Sequence, residues 1–206
     1  MKKLIEKLFS ILSNQTPLDH LPFNEGCSES ELKQLEDSLK VTLSDDYKIF
    51  LRHSNGQSGS SLTFPPDQLV FLSVEEVARL WNELNQHQDD QFFDQFEFDQ
   101  KIRAVLYHPR RIPIAFNESG GAHLFIDYIP GPNGKNGQVI FNINEVDCVV
   151  IEDNFHDLVG TYLQLLETGK IVIKKQPPEY GQGYWFVSNN DEPINWEVFQ
   201  RLKGKT

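Results

Sequence analysis

The sequence predicts an α+β fold in a single domain, with several helices packed on a mainly antiparallel sheet. Apolar residues at helical spacing occur near both ends of the chain, whereas the stretch from 105 to 173 is rich in short β-type segments. Helices that flank a run of strands in this way are typical of the α+β class. Of the 206 residues, 39% are hydrophobic and 15 are Phe, which is enough apolar material for one core.

We expect this domain to have three parts. Residues 1–24 are predicted to form an N-terminal amphipathic helix and a lead-in, residues 25–170 the core, and residues 171–206 a C-terminal extension packed on the same domain. No internal repeat is visible, and no linker cleanly divides the chain. The stretch 86–100 is a candidate for an inserted loop.

Three serine residues mark predicted helix starts. Ser28 with Glu31, and Ser73 with Glu76, have the spacing of a capping box, in which each side chain accepts a hydrogen bond from the other residue's backbone amide. Ser44 precedes a third segment with helical spacing of apolar residues, and we expect its side chain to cap that helix.

The third helix is expected to stop at Asn55-Gly56, because this pair suits left-handed backbone angles. Gly120 and Gly121 are interpreted in the same way, as turn residues. The loop from Gly131 to Gly137 joins two predicted strands and is interpreted as a hairpin connection.

Residues 123 to 128 have the period of two that is typical of a strand. The alternation predicts one face toward the core and one face closer to water. We interpret Asp127 as hydrogen-bonded to local backbone, because short Asp side chains at strand ends and turns commonly bond in this way. One face carries Leu124, Ile126 and Tyr128, and the other carries His123, Phe125 and Asp127.

One block of residues in the first third of the chain has a specific order. An acidic helix with leucines at helical spacing, residues 31–36, is followed by Leu43-Ser44-Asp45-Asp46-Tyr47-Lys48-Ile49-Phe50-Leu51 and then by Asn55-Gly56. A second block joins Ile112-Pro113-Ile114-Ala115, the pair Gly120-Gly121 and the strand Leu124-Phe125-Ile126-Asp127-Tyr128. Gly137-Gln138-Val139 and an apolar helix from Phe155 to Leu166 come after it.

In this order the blocks resemble the SUKH superfamily, which contains the yeast cell-wall-assembly regulator and many bacterial toxin-immunity proteins. The resemblance covers about residues 25 to 170. Two departures are visible: Ser44 stands where the family usually has Pro, and the spacer at 116–119 is longer than usual. The residues to which the resemblance gives structural roles are Leu43, Tyr47, Phe50, Leu51, Asn55, Gly56, Trp81, Pro113, Gly120, Gly121, Asp127 and Gly137.

The resemblance implies a non-catalytic protein-binding module whose sheet and flanking helices form a groove. Bacterial members look like immunity proteins that neutralise toxins by direct contact, and the absence of long disordered arms here favours that function. A scaffold or regulator in cell-wall assembly or growth control is the first alternative. The second alternative is an unrecognised hydrolase that uses Asp127 with His123 or His108.

The charge of the chain favours a protein partner. Its net charge is -11, with 30 acidic and 19 basic side chains, so binding to nucleic acid or to an anionic membrane is disfavoured. A basic partner, such as a basic toxin domain, would suit this field. A segment that combines five acids with four Phe is the predicted contact, and it contains Asp89, Asp90, Phe92, Phe93, Asp94, Phe96, Glu97, Phe98 and Asp99.

We expect no catalytic, cofactor or metal site. None of the six His pairs with another at the spacing of a zinc site, and Cys27 and Cys148 are read as reduced thiols of a cytoplasmic protein. The Gly134-Lys135 pair lacks the Ser or Thr of a phosphate-binding loop. No apolar run is long enough for a membrane span, and Glu6 and Lys7 interrupt the apolar residues of the N-terminus.

Overall fold

Six helices and eight strands form the described part of the chain, which comprises residues 1–16, 21–87, 100–144, 147–180 and 183–204 of a computed structural model. The helices are α1 (Lys2–Gln15), α2 (Glu29–Leu39), α3 (Asp45–His53), α4 (Val74–Asn85), α5 (Phe155–Glu167) and α6 (Trp196–Lys203). The strands are β1 (Leu62–Thr63), β2 (Leu69–Phe71), β3 (Arg111–Asn117), β4 (Ala122–Asp127), β5 (Gln138–Ile143), β6 (Asp147–Glu152), β7 (Ile171–Lys175) and β8 (Tyr184–Ser188).

The strands form two sheets. The larger sheet has five antiparallel strands in the order β2-β3-β4-β5-β6, and the smaller sheet has the order β1-β8-β7, with β1 parallel to β8. Phe64 and Leu69 join the sheets by exchanging two backbone hydrogen bonds, of 2.8 and 2.7 Å. The prediction of a single α+β domain with a mainly antiparallel sheet is therefore confirmed.

One face of the larger sheet lies on the main hydrophobic core, which also takes in the helices near both ends of the chain. Ile5 and Leu12 of α1 are fully buried against α3 and α5, and Phe199 of α6 belongs to the same cluster. The hydroxyl of Tyr162 on α5 donates to the carbonyl of Pro65 at 2.6 Å, which ties the helix to the connection between β1 and β2. The apolar periodicity of these helices is thus used for burial. The division of the chain at residues 25 and 170 stays a prediction.

The serine caps were predicted correctly at two of three helices. Ser28 and Ser73 both form complete capping boxes, with Glu31 and Glu76 respectively. Ser44 is the N-cap residue of α3, but its side chain makes no capping bond. Its backbone N–H donates to the hydroxyl of Tyr128 at 2.8 Å, so a tertiary contact fixes this helix start in place of the local one.

The second face of β4 is covered, which contradicts the prediction of a wetter face. All six residues of β4 are buried. Phe125 lies in a second apolar cluster with Ile102, Leu106 and Cys148, because the segment before β3 passes over this face. The period of two was correct, but the alternation reflects two differently covered faces and not one core face and one solvent face.

No helix in the described ranges has both the length and the apolar character that crossing a membrane requires.

Candidate docking groove

The Asn55-Gly56 corner joins three parts of the chain. Helix α3 ends at His53, and the backbone N–H of Asn24 then donates to the carbonyl of Gly56 at 3.1 Å. The side-chain amide of Asn24 donates to the carbonyl of Asn55 at 2.8 Å. The side-chain oxygen of Asn55 accepts a hydrogen bond from the backbone N–H of Val74 at 2.8 Å. The Asn55 side chain therefore satisfies a backbone amide in the first turn of α4 that has no acceptor within that helix.

The sequence suggested left-handed backbone angles for the pair Asn55-Gly56, and of the two only Gly56 has them, with φ of +69°. It also lies against another part of the backbone, since a Cβ built here would be 2.3 Å from the nitrogen of Ser73 and 2.4 Å from the carbonyl carbon of Leu72. Two constraints thus require glycine at this position. The second depends on tertiary packing, and the local sequence could not reveal it.

Gln57 closes the outer edge of β2. Its backbone N–H donates to the carbonyl of Phe71, and its side-chain oxygen accepts from the N–H of Phe71, both at 2.8 Å. Its side-chain amide donates to the carbonyl of Leu62 in β1 at 2.7 Å. Only 4% of Gln57 is exposed. The burial of Gln57 could not be predicted from the sequence, because a Gln beside a small polar run gives no signal of burial.

A groove with a volume of about 370 Å³ opens beside this corner. Its floor includes Val70 of β2 and Phe116 of β3, which lie directly opposite each other across the two strands. We call this site the corner groove. It is lined by Asn24, Gln57, Ser58, Gly59, Val70, Ser73, Glu76, Phe116 and Glu118.

The lining of the corner groove carries two carboxylates and no basic side chain. Glu76 accepts a bond from the N–H of Ser73 through one carboxylate oxygen at 2.8 Å. Glu118 is exposed on the turn between β3 and β4. Within the described ranges neither carboxylate takes part in an ion pair. A polar rim of negative sign above an apolar floor is suited to binding.

Asp127 lies at the end of β4 farther from the corner groove, where it takes part in a buried hydrogen-bond network. Its side chain is fully buried, and one oxygen accepts from Nε of Arg111 at 3.2 Å and from the N–H of Ile129 at 3.1 Å. The other oxygen accepts from the side-chain amide of Gln138 at 2.9 Å. The predicted bond to local backbone is present, and the ion pair with Arg111 was missed.

The guanidinium of Arg111 fastens the segment that precedes β3. It donates to the carbonyls of Arg103 and Leu106, at 3.0 and 3.2 Å, and to that of Val105. Arg111 and Asp127 are register partners on β3 and β4, so this pair could be found only after the strand pairing was known. The contacts of Asp127 are those of a structural anchor, and they occupy the carboxylate that the hydrolase hypothesis requires.

The two histidines of the hydrolase hypothesis, His108 and His123, also contact neighbouring residues. Nδ1 of His108 accepts from the backbone N–H of Arg110 at 3.1 Å, and burial lowers the pKa of His108. The ring of His123 lies 5.9 Å from that of Phe125. Among the residues that the structure describes, no cluster of three or more His, Cys, Asp or Glu could hold a metal ion.

The other residues of the resemblance lie in the core or at turns. Gly120 and Gly137 have positive φ, of 78° and 84°, as turn residues. The indole N–H of Trp81 donates to the carbonyl of Pro109 at 2.9 Å, and Gly121 faces the side chain of Asn144. The buried members are Leu43, Tyr47, Phe50, Leu51 and Pro113.

The predicted contact segment lies outside the described residues, so its role as a partner site stays a prediction. It comprises Asp89, Asp90, Phe92, Phe93, Asp94, Phe96, Glu97, Phe98 and Asp99.

Three curated fungal relatives resemble the chain. It is 23% identical over 235 residues to the cell wall assembly regulator SMI1 of Saccharomyces cerevisiae, covering 94% of this chain and 46% of the relative. It is 34% identical over 83 residues to the KNR4/SMI1 homolog of Eremothecium gossypii, covering 40% and 12%. It is 26% identical over 164 residues to the cell wall biosynthesis/cell cycle regulator smi1 of Schizosaccharomyces pombe, covering 72% and 32%.

The chain spans less than half the length of each of these relatives. The model of the SMI1/KNR4 family, SUKH-1, matches residues 26–161, a range that holds both the Asn55-Gly56 corner and the whole lining of the corner groove except Asn24. The predicted resemblance to the SUKH superfamily is confirmed, and this chain belongs to the SMI1/KNR4 family (SUKH-1).

Proposed function

We propose that this protein is a non-catalytic regulator of cell-wall assembly that acts by binding other proteins. The observation that carries the proposal is its similarity, over 94% of its length, to a protein named as a cell wall assembly regulator. The relative from Schizosaccharomyces pombe has a similar name. The corner groove, with an apolar floor and a polar rim, supplies a surface of the kind that binds a partner.

The named relatives favour this regulatory function over toxin immunity, which was the first hypothesis from the sequence. The two functions differ in how partners bind. A regulator or scaffold is expected to have several partners of moderate affinity, whereas an immunity protein has one tight partner. The net charge of -11 supports a protein partner over nucleic acid or an anionic membrane in both cases.

Disruption of the gene in the source organism tests the regulatory function. We expect the disrupted strain to grow poorly in the presence of a dye that binds cell-wall polysaccharides, and the reintroduced full chain to restore growth. Growth in an osmotically supported medium without the dye is the control for general sickness. Equal dye sensitivity in disrupted and parental strains would contradict the proposal.

Affinity purification of the tagged chain, expressed from its own promoter, separates the two functions. Recovery of several substoichiometric proteins involved in wall synthesis or growth control supports a regulator. Recovery of one stoichiometric partner whose expression is toxic without this chain would support immunity and remove the regulatory proposal.

A further inference from the structure

We propose that the corner groove binds a segment of a partner protein in which an apolar side chain is flanked by lysine or arginine. The inference rests on the proposed function, because it names the chemistry of the partner at that same surface. It follows from the charge of the rim, the apolar floor and the rigidity of the walls.

The charge of the rim selects a cationic partner. Glu76 and Glu118 both line the groove, and its lining contains no lysine or arginine. Elsewhere on the described surface many carboxylates already face a cation, as Glu83 faces Arg79 and Asp153 faces Lys135. Glu76 and Glu118 have no such cationic partner within the described chain, so a basic side chain from outside would meet two carboxylates that lack a counterion.

The floor of the groove selects an apolar side chain between those charges. Val70 and Phe116 lie on one face of the sheet as direct cross-strand partners, and Phe116 is half-buried. A volume of about 370 Å³ lies near the lower end of the range for ligand pockets, so the groove takes a few side chains and not a folded domain. Covering the exposed part of Phe116 supplies the hydrophobic contribution to binding.

The walls of the groove are held in place before any partner arrives. Gln57 is bonded to Phe71 and to Leu62, and Asn55 is bonded to the first turn of α4. Glu76 is held by the capping box with Ser73. A preformed site loses less conformational entropy on binding than a mobile one, which favours recognition of a short segment.

A larger groove, of about 610 Å³, between β6 and α6 does not have this selectivity. Its rim carries the cations Lys101 and Arg201 together with the carboxylates of Glu152, Asp153 and Glu197. Both signs are present, so its charge predicts no particular partner. The corner groove, by contrast, carries charge of one sign only, and this charge favours a cationic ligand.

Substitutions that remove one negative charge and keep the shape of the side chain test the proposal without altering the fold. Glu76→Gln keeps the capping box, because Gln serves at that position as Glu does. Glu118→Gln changes an exposed turn residue. Glu75→Gln is the matched control, since this exposed residue is adjacent in α4, carries the same charge and lines a different groove, between α2 and α4. Thermal unfolding of each variant confirms that the fold is retained.

The probe is a short fluorescent peptide whose centre reads arginine-leucine-arginine, with glycine and serine on both sides. Binding is measured by anisotropy, and the contacted amides are mapped by NMR with ¹⁵N-labelled protein. We expect the largest shifts at Val70, Phe116 and Glu118. Each of Glu76→Gln and Glu118→Gln should weaken binding about two- to fivefold, as the loss of one exposed ion pair does, whereas Glu75→Gln should leave it unchanged.

Two further peptides check the ligand chemistry. Replacing both arginines by citrulline, which keeps the shape and removes the charge, should weaken binding, and replacing leucine by serine should weaken it as well. Equal weakening by Glu75→Gln and Glu76→Gln would overturn the proposal, because it would assign binding to the general negative field. Shifts confined to other surfaces, or no binding of the arginine peptide, would overturn it too.

The result of the peptide-binding experiment can be told apart from the result of the gene disruption that tests the proposed function. If the peptide fails to bind while the disrupted strain is sensitive to the wall dye, the groove inference falls and the regulatory function stands. If the peptide binds as expected while the disrupted strain grows normally, the groove has a cationic partner outside cell-wall assembly.

Discussion

The buried ion pair between Arg111 and Asp127 provides a sharp test of how this fold is held together. The guanidinium of Arg111 and the carboxylate of Asp127 are both fully buried. The same guanidinium also holds three carbonyls of the segment over the second face of the sheet. The substitution Asp127→Asn preserves the size of the side chain and removes its negative charge. It also replaces the oxygen that accepts from Gln138 by an amide NH2, which cannot accept a hydrogen bond.

The expected loss of stability follows from these contacts. An Asn side chain can still accept from the N–H of Ile129, but Arg111 is left with a buried charge and no counterion. Removing one member of a buried pair costs about 3–5 kcal/mol, because the remaining charge stays desolvated without compensation. For a chain of this length, 1 kcal/mol corresponds to a shift of about 2–4 °C in Tm. We therefore expect Tm to fall by about 6–20 °C.

Equilibrium unfolding in urea, followed by circular dichroism and repeated as a thermal scan, measures this loss. The control is Glu83→Gln, which removes the carboxylate facing Arg79 on the surface of α4, where the side chains are 52% and 54% exposed. An exposed pair of this kind contributes about 0.3–0.5 kcal/mol. The two variants make the same change of charge, so their difference isolates the effect of burial.

A result in which Asp127→Asn costs no more than Glu83→Gln would refute this reasoning. It would mean that Arg111 is compensated by the backbone carbonyls alone. A second measurement locates the damage: Cys148 packs in the second apolar cluster with Leu106, so its labelling by a thiol reagent should be faster in Asp127→Asn. Unchanged labelling at a lowered stability would place the loss outside this segment.

Three further predictions concern the corner, the caps and pH. Gly56→Ala should lower the free energy of unfolding in urea by more than about 2 kcal/mol, because the strain of positive φ adds to a Cβ contact of 2.3 Å with the nitrogen of Ser73. Gly120→Ala, with φ of +78° and no neighbour within 4 Å, should lower it by about 1–2 kcal/mol. Equal losses in the two variants would contradict the close approach at Gly56. Ser73→Ala should cost about 1 kcal/mol in the same assay through the loss of a cap, whereas Ser44→Ala should cost less, because the Ser44 side chain makes no capping bond to α3. A loss at Ser44 as large as that at Ser73 would disprove this assignment. Burial raises the pKa of Cys148 from 9.0 to about 12, so above pH 9 the folded state keeps a proton that the unfolded state releases. The contribution of Cys148 should therefore lower the free energy of unfolding by up to about 1.4 kcal/mol for each pH unit above 9. For Cys148→Ala, the free energy of unfolding from urea titrations between pH 9 and 11 should fall less steeply with pH than for the parent protein. Identical slopes for the two proteins would be inconsistent with this linkage.

The sequence determined the features of this protein that depend on near neighbours in the chain. The capping boxes at Ser28 and Ser73 could be recognised because both partners lie within one helical turn. The α+β class and the family were also accessible, since they depend on the order of periodic segments and motifs along the chain.

Tertiary structure decided everything that depends on strand register and on which segment covers which face. Arg111 meets Asp127 only because β3 and β4 pair in one register, and β4 is buried on both faces only because the segment before β3 crosses it. Ser44 uses a tyrosine hydroxyl from far along the chain in place of its own side chain. Glu76 and Glu118 share a groove for the same reason: periodicity indicates which residues share a face of one element, but the neighbours across that face are set by how the elements pack.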